Sequence, residues 1–171
     1  MRFLCDDNLG RLAGYLRILG FDTLFYENID DAALLKLAAN DERFLITRDH
    51  KLASKSIPHG LLIIEDDAPL KQLSTVVLEL DLTVDTNSLF ARCSRCNILC
   101  HDVDKDSLAG KVFPFILKTQ PQIKRCPSCG RYYWKGSHYK VLLRKLRSVI
   151  DDSHVAGKWP EQTSDESPAA L

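Results

Sequence analysis

Two Cys-x-x-Cys pairs, Cys93-Ser-Arg-Cys96 and Cys126-Pro-Ser-Cys129, stand about thirty residues apart and constrain this chain more than any other feature. A two-residue gap lets both sulfurs of one tight turn face the same point, and a tetrahedral ion needs four such thiolates. The chain opens without a charged, apolar and small-residue leader, so a reducing compartment and free thiols are expected rather than disulfides. The pattern predicts a zinc ribbon held by Cys93, Cys96, Cys126 and Cys129. Cys5, in the apolar run Phe3-Leu4-Cys5, reads as a small buried hydrophobe. Cys100-His101, close behind the first pair, is the alternative source of a ligand.

The cysteines divide the sequence, because everything before them must fold without the metal. With 171 residues and 45% hydrophobic content there is room for one good core and a small metal-stapled module. The expected organisation is a first domain over 1–88, a ribbon with a basic helix over 89–152, and a disordered tail over 153–171, where Ser, Pro, Glu and Ala dominate. No apolar stretch approaches the length of a membrane span, so a cytoplasmic protein without a membrane partner is expected.

A net charge of zero conceals a separation. Met1 to Phe90 carries fifteen acidic and nine basic residues, whereas Ser107 to Ile150 carries ten Lys and Arg and no acid. Acid at one end suits a divalent cation and base at the other suits a polyanion; nucleic acid would use both. The plainer reading of Lys140, Arg144, Lys145 and Arg147 is the solvated face of a helix.

Before the cysteines, apolar runs at 2–5, 21–26, 44–47 and 60–64 read as strands. Between them lie helical patterns: Leu9 to Leu19, with Asn8 to cap it and Gly20 to stop it; a stripe through Ala33, Leu34, Leu37 and Ala38, capped by Asp30 or Asp31; a turn near Lys51 to Ser54; and a helix from Pro69 to about Leu80. Strand and helix alternate as in a mostly parallel sheet covered on both faces, which binds ligands beyond the carboxyl ends of its strands. Asp6, Asp49 and Asp66 or Asp67 all follow strand ends. A single such aspartate is ordinarily a cap or turn residue; several converging on one edge need a cation such as Mg²⁺ or Mn²⁺ among them, which would activate water against a phosphodiester.

In the second half, Val112 to Lys118 has the composition of a ribbon strand and Arg131 to Trp134 of the strand returning from the second cysteine pair. Ser137 is placed to cap a last helix with Tyr139, Leu142, Leu143 and Leu146 inside. Tyr132, Tyr133 and Trp134 either cover the small core or stack on unpaired bases.

Asp31-Ala-Ala-Leu-Leu-Lys-Leu-Ala-Ala39 followed by Phe44-Leu-Ile-Thr-Arg-Asp49 resembles the latter half of PIN-domain nucleases. More closely, Leu4-Cys-Asp6, Leu9-Gly-Arg-Leu12, Leu16-Arg-Ile-Leu-Gly-Phe-Asp22, Leu45-Ile-Thr-Arg-Asp49 and the run Cys126 to His138 resemble the Mut7-C family, in which a PIN-like ribonuclease domain is joined to a zinc ribbon. The resemblance implies an α/β/α three-layer fold, a metal-dependent ribonuclease, and catalytic metal-binding roles for Asp6, Asp31 and Asp49. PIN nucleases place a further acid between the first and third of these positions. Asp30 and Asp67 are the substitutes, with Glu27 behind them. RNA is the expected partner, with single-stranded DNA left open, and Arg11, Arg17, Arg48, Lys135, His138, Lys140 and Arg144 are the expected contacts. The competing reading is a non-catalytic RNA- or ribosome-associated binding protein that retains the basic ribbon.

Overall fold

The computed structural model describes residues 1–160. Four short strands, β1 (Arg2–Cys5), β2 (Asp22–Phe25), β3 (Phe44–Thr47) and β4 (Leu61–Ile63), form one sheet in the order β2-β1-β3-β4, every neighbouring pair parallel. Parallel neighbours need crossovers, supplied here by α1 (Gly10–Ile18) after β1, α2 (Asp31–Asn40) after β2 and the short 3-10 turn His50–Ser54 after β3. A further helix, α3 (Pro69–Glu79), follows β4 and carries its proline in the first turn.

Side-chain alternation along the strands separates two cores. Phe3, Cys5 and Ile46 face α1 and α3, packing with Leu12, Leu16, Leu73 and Val76; Leu4 and Leu45 face the other way, onto Leu34 and Ala38 of α2 and Leu52 of the turn. Cys5 is fully buried, and burial pushes its thiol up to about 12, as expected of a small core hydrophobe.

Helix α1 ends where Gly20 adopts φ +98°, with Phe21 N–H donating to Leu16 O and Gly20 N–H to Arg17 O, a Schellman closure. Its start differs from expectation. Asn8 does not cap the helix; it occupies the left-handed position (φ +69°) of the turn that leaves β1, and Leu9 fills the cap position without a side-chain bond. At α2 the cap is Asp30, whose carboxylate accepts from Ala33 N–H at 2.9 Å.

After β5 (Val84–Asp85) come the strands of the cysteine module, β6 (His101–Asp102), β7 (Lys124–Arg125) and β8 (Tyr132–Tyr133), an antiparallel sheet in the order β6-β7-β8. The strand expected over 112–118 is instead a short helix, α4 (Pro114–Thr119): Pro114 fits the first helical turn, whereas in a ladder it would leave a donor missing. Helix α5 (Ser137–Arg147) has Gly136 at the cap position, so Ser137 is its first helical residue and not its cap. Its Leu146, with Ile150 beyond it, joins the core of α1 and α3, and Phe90 meets Tyr139 with ring centroids 4.4 Å apart.

The tail expected to be disordered from 153 is ordered over its first part. Strand β9 (Val155–Ala156) pairs parallel with β5, and Trp159 packs against the main core; residues 161–171 lie outside the described residues. Among the described residues, no helix is long and apolar enough to cross a membrane.

Candidate metal centre and acidic crevice

The two cysteine pairs are built alike. Cys93 N–H donates to Ile98 O and Asn97 N–H to Cys93 O; Cys126 N–H donates to Arg131 O and Gly130 N–H to Cys126 O. Each turn needs a left-handed residue after its second cysteine: Gly130 at φ +72° in one and Asn97 at φ +64° in the other. The result brings Cys93, Cys96, Cys126 and Cys129 within 4.8 Å of one another, a donor set that fits a tetrahedral ion such as zinc. Cys100 is buried beside them but is not one of the four. Burial raises the Cys93 thiol, but hydrogen bonds from Tyr133 and from backbone N–H groups outweigh it and bring the thiol down to about 6. Burial, with its thiol neighbours, pushes Cys96 up to about 12. Such a quartet binds metal in exchange for protons.

This module is fastened to the sheet through its first cysteine turn. Thr23, on edge strand β2, has its N–H satisfied by Asn97 Oδ1 at 2.9 Å and its carbonyl by Arg17 Nε at 2.8 Å; Arg17 also donates to Ser94 O and Arg95 O. Asn97 Nδ2 donates to Asp22, which accepts from Arg43 at 2.7 Å. An edge strand is thus closed by side chains rather than left to pair. Arg17, expected as a nucleic-acid contact, is only 6% exposed and donates to three carbonyls, so the structure shows it as a tie between the sheet and the cysteine module.

The carboxyl ends of the strands lie together, with Asp6 after β1 and Asp49 after β3, adjacent strands between which the chain reverses its order. Thr47, the last residue of β3, joins them: its hydroxyl donates to Asp6 Oδ2 at 2.5 Å and accepts from Asp49 N–H at 2.9 Å. Asp6 Oδ1 accepts from Asp7 N–H at 2.6 Å, so both oxygens are oriented while lone pairs remain on each. Asp49 accepts from Lys51 N–H and caps the following turn. Asp31 is exposed in the first turn of α2, Asp30 caps that helix, and Asp67 pairs with Arg48 at 2.5 Å.

At the same edge opens a cleft of about 520 Å³ whose lining includes Asp7, Glu27, Asp67, Arg11, Arg48 and Gln72; it takes in the chain neighbours of Asp6 and Asp49 but not Asp6, Asp31 or Asp49 themselves. It draws on the ends of β1, β2, β3 and β4. Sequence reasoning misses Asp7 and Gln72 here; Asp7 carries the same strand-end signal as Asp6, while Gln72 faces the cleft from a helix and has no such signal. Among the described residues, the cysteines are the one set of three or more His, Cys, Asp or Glu side chains whose donor atoms lie within 4.8 Å of one another. Asp6, Asp31 and Asp49 do not form a closed cage. Lys135, His138 and Arg144 lie exposed and Lys140 half-buried at and along α5.

A parallel α/β sheet with an acidic carboxyl edge, tied to a four-cysteine module, defines the class. The chain belongs to the Mut7-C RNAse domain family, whose model matches residues 1–146. Neither a curated protein nor a solved structure matches it significantly.

Proposed function

We propose that this protein is a metal-dependent ribonuclease of PIN-like, three-layer architecture, cleaving RNA at the carboxyl edge of the parallel sheet. The observation that carries the reading is the Asp6–Thr47–Asp49 arrangement at the ends of adjacent strands. Mg²⁺ keeps several waters and is held by one or two carboxylates together with substrate phosphates, so a pair of acids fits it without a closed protein cage. When bound, Mg²⁺ or Mn²⁺ supplies a more acidic water and charge neutralisation at the phosphate. Asp6 and Asp49 are the holding residues, Asp31 an outer carboxylate at the mouth of α2.

Thr47 donates a hydrogen bond to Asp6 Oδ2, which fixes the orientation of that carboxylate. Arg11 and Arg48 line the cleft and meet phosphate oxygens there, Arg48 exchanging Asp67 for substrate. Asp30 and Asp67 are already engaged, in capping and in an ion pair, and serve as supporting acids. The four cysteines hold zinc structurally, and the basic residues Lys135, His138, Lys140 and Arg144 hold the RNA backbone.

The lack of a closed acidic cage among the described residues favours one competing reading, an RNA-binding protein without hydrolysis. Labelled single-stranded RNA incubated with the protein in EDTA, Mg²⁺ and Mn²⁺ separates the two, with zinc content followed in parallel. Cleavage that needs added metal and falls by about 10²-fold or more in Asp6→Asn and Asp49→Asn supports the nuclease. Undiminished turnover in both variants refutes it.

A further inference from the structure

The zinc module carries a second cleft, of about 650 Å³, that the nuclease reading does not use. One wall is the chain entering α4, with Lys111, Phe113 and Pro114; the other is β8 and its extension, with Arg131, Tyr132 and Trp134. Phe113 is 81% exposed and its neighbour Phe115 is 69% exposed, in a chain that otherwise buries most of its large rings at least in part. Packing does not need these rings where they are. Tyr133 also borders the cleft, but its hydroxyl lies 3.0 Å from Cys93 Sγ, inside the cysteine cluster. Tyr132 and Trp134, on either side of it, line the cleft, and the Arg125 guanidinium sits 5.9 Å from the Tyr132 ring centroid.

The charge around this cleft is of one sign. Its lining holds two cations and no acid, and the stretch Ser107–Ile150 that contains both walls carries ten Lys and Arg and no Asp or Glu. Aromatic faces combined with cations that follow a backbone are the requirements of unpaired nucleotides, whose bases stack while their phosphates are neutralised. An apolar peptide would be served by the rings but would gain nothing from the cations. A duplex, its bases already stacked on one another, would gain nothing from the rings.

We propose that this cleft is a binding site for single-stranded RNA, in which Phe113 and Trp134 stack on unpaired bases while Lys111 and Arg131 meet the adjoining phosphates. The inference rests on RNA being the substrate, and makes unpaired RNA the preferred class.

The test uses the full-length, zinc-loaded protein in magnesium-free buffer. Fluorescence anisotropy measures the affinity for a labelled, unstructured oligouridylate and for an RNA duplex of equal length. The single strand is expected to bind more tightly. Phe113→Ala should weaken it by about five- to a hundredfold, Trp134→Ala should do likewise, and Trp134→Phe should recover most of the loss. Because Phe113 is so exposed, its truncation leaves the fold standing, and a native-like melting curve with full zinc content verifies that. Unchanged affinity in Phe113→Ala overturns the proposal, as does equal binding of the duplex. Loss of binding to a leucine-rich amphipathic peptide in Phe113→Ala, with RNA affinity intact, assigns the cleft to a protein partner and also overturns it. Cleavage by the wild-type protein is a separate readout, so the cleft can fail while the nuclease stands, or stand while hydrolysis is absent.

Discussion

Thr47 and Asp6, forty-one residues apart in sequence, share one hydroxyl proton across the ends of β3 and β1. The same Thr47 oxygen accepts from Asp49 N–H, so a single side chain links the Asp6 carboxylate to the Asp49 backbone. Thr47→Val keeps the shape and removes both bonds. Cleavage should drop by about 10–100-fold, the range seen when groups that orient metal-holding side chains are lost. Zinc content should be unchanged. A rate equal to wild type would show that Asp6 is oriented by something else.

Asp22 stands between Arg43 and Asn97. Burial raises its carboxyl, but the hydrogen bonds from Arg43 and Asn97 outweigh burial and hold it below the usual carboxylate value. A lowered folded pKa stabilises above the unfolded value, near 4, and that stability is lost as pH falls through the folded one. Asp22→Ala leaves the buried guanidinium of Arg43 without its closest partner and should cost about 2–3 kcal/mol at neutral pH. Urea unfolding should show the difference shrinking below about pH 4.

Arg17 and Arg11 sit on the same helix and should behave oppositely. Arg17→Met removes three hydrogen bonds to Thr23, Ser94 and Arg95 carbonyls and should destabilise the protein by about 2–3 kcal/mol, read as a lower urea midpoint. Arg11→Ala, at the mouth of the acidic cleft, should leave the midpoint alone and weaken RNA binding. The reverse outcome would exchange their roles.

Zinc removal should unfold the ribbon before the sheet. Its strands are two residues each, and the buried cluster they surround is the cysteines with Tyr133. Cys126→Ser should abolish stoichiometric zinc and the amide protection of β7 and β8 in hydrogen exchange, while β1 and β3 stay protected. With four thiols as the proposed donors, affinity should rise with pH and uptake should release protons.

Arg144 and Lys145 lie exposed on α5. Neutralising both should lower RNA affinity and reduce the slope of log K against log salt by about 0.7 for each phosphate that is no longer neutralised. An unchanged slope would leave them as a solvated helix face.

The strands at 2–5 and 44–47 are legible to the residue because a short apolar run between polar turns has one stable use, and the cysteine pairs are legible because their spacing is the geometry of the site. Local chemistry decides such features. Helix ends are only partly legible: α1 closes on Gly20, but α2 and α3 close in the same way on Glu42 and Asp81, at φ +53° and +46°, where no glycine announces it. The segment 112–118 reads as a strand from its composition, which suits either element, and Pro114 settles it as a helix only once its neighbours are known.

What the sequence determined by itself is the alternating α/β order, the two Cys-x-x-Cys turns and the acids at strand ends, since each depends on residues close together in the chain. Only the tertiary structure decided that Arg17 is a buried tie, that Thr47 links Asp6 to Asp49, and that Phe113 and Trp134 line one cleft. Those relations depend on how the chain folds back on itself, and their strength comes from burial and alignment that no local pattern encodes.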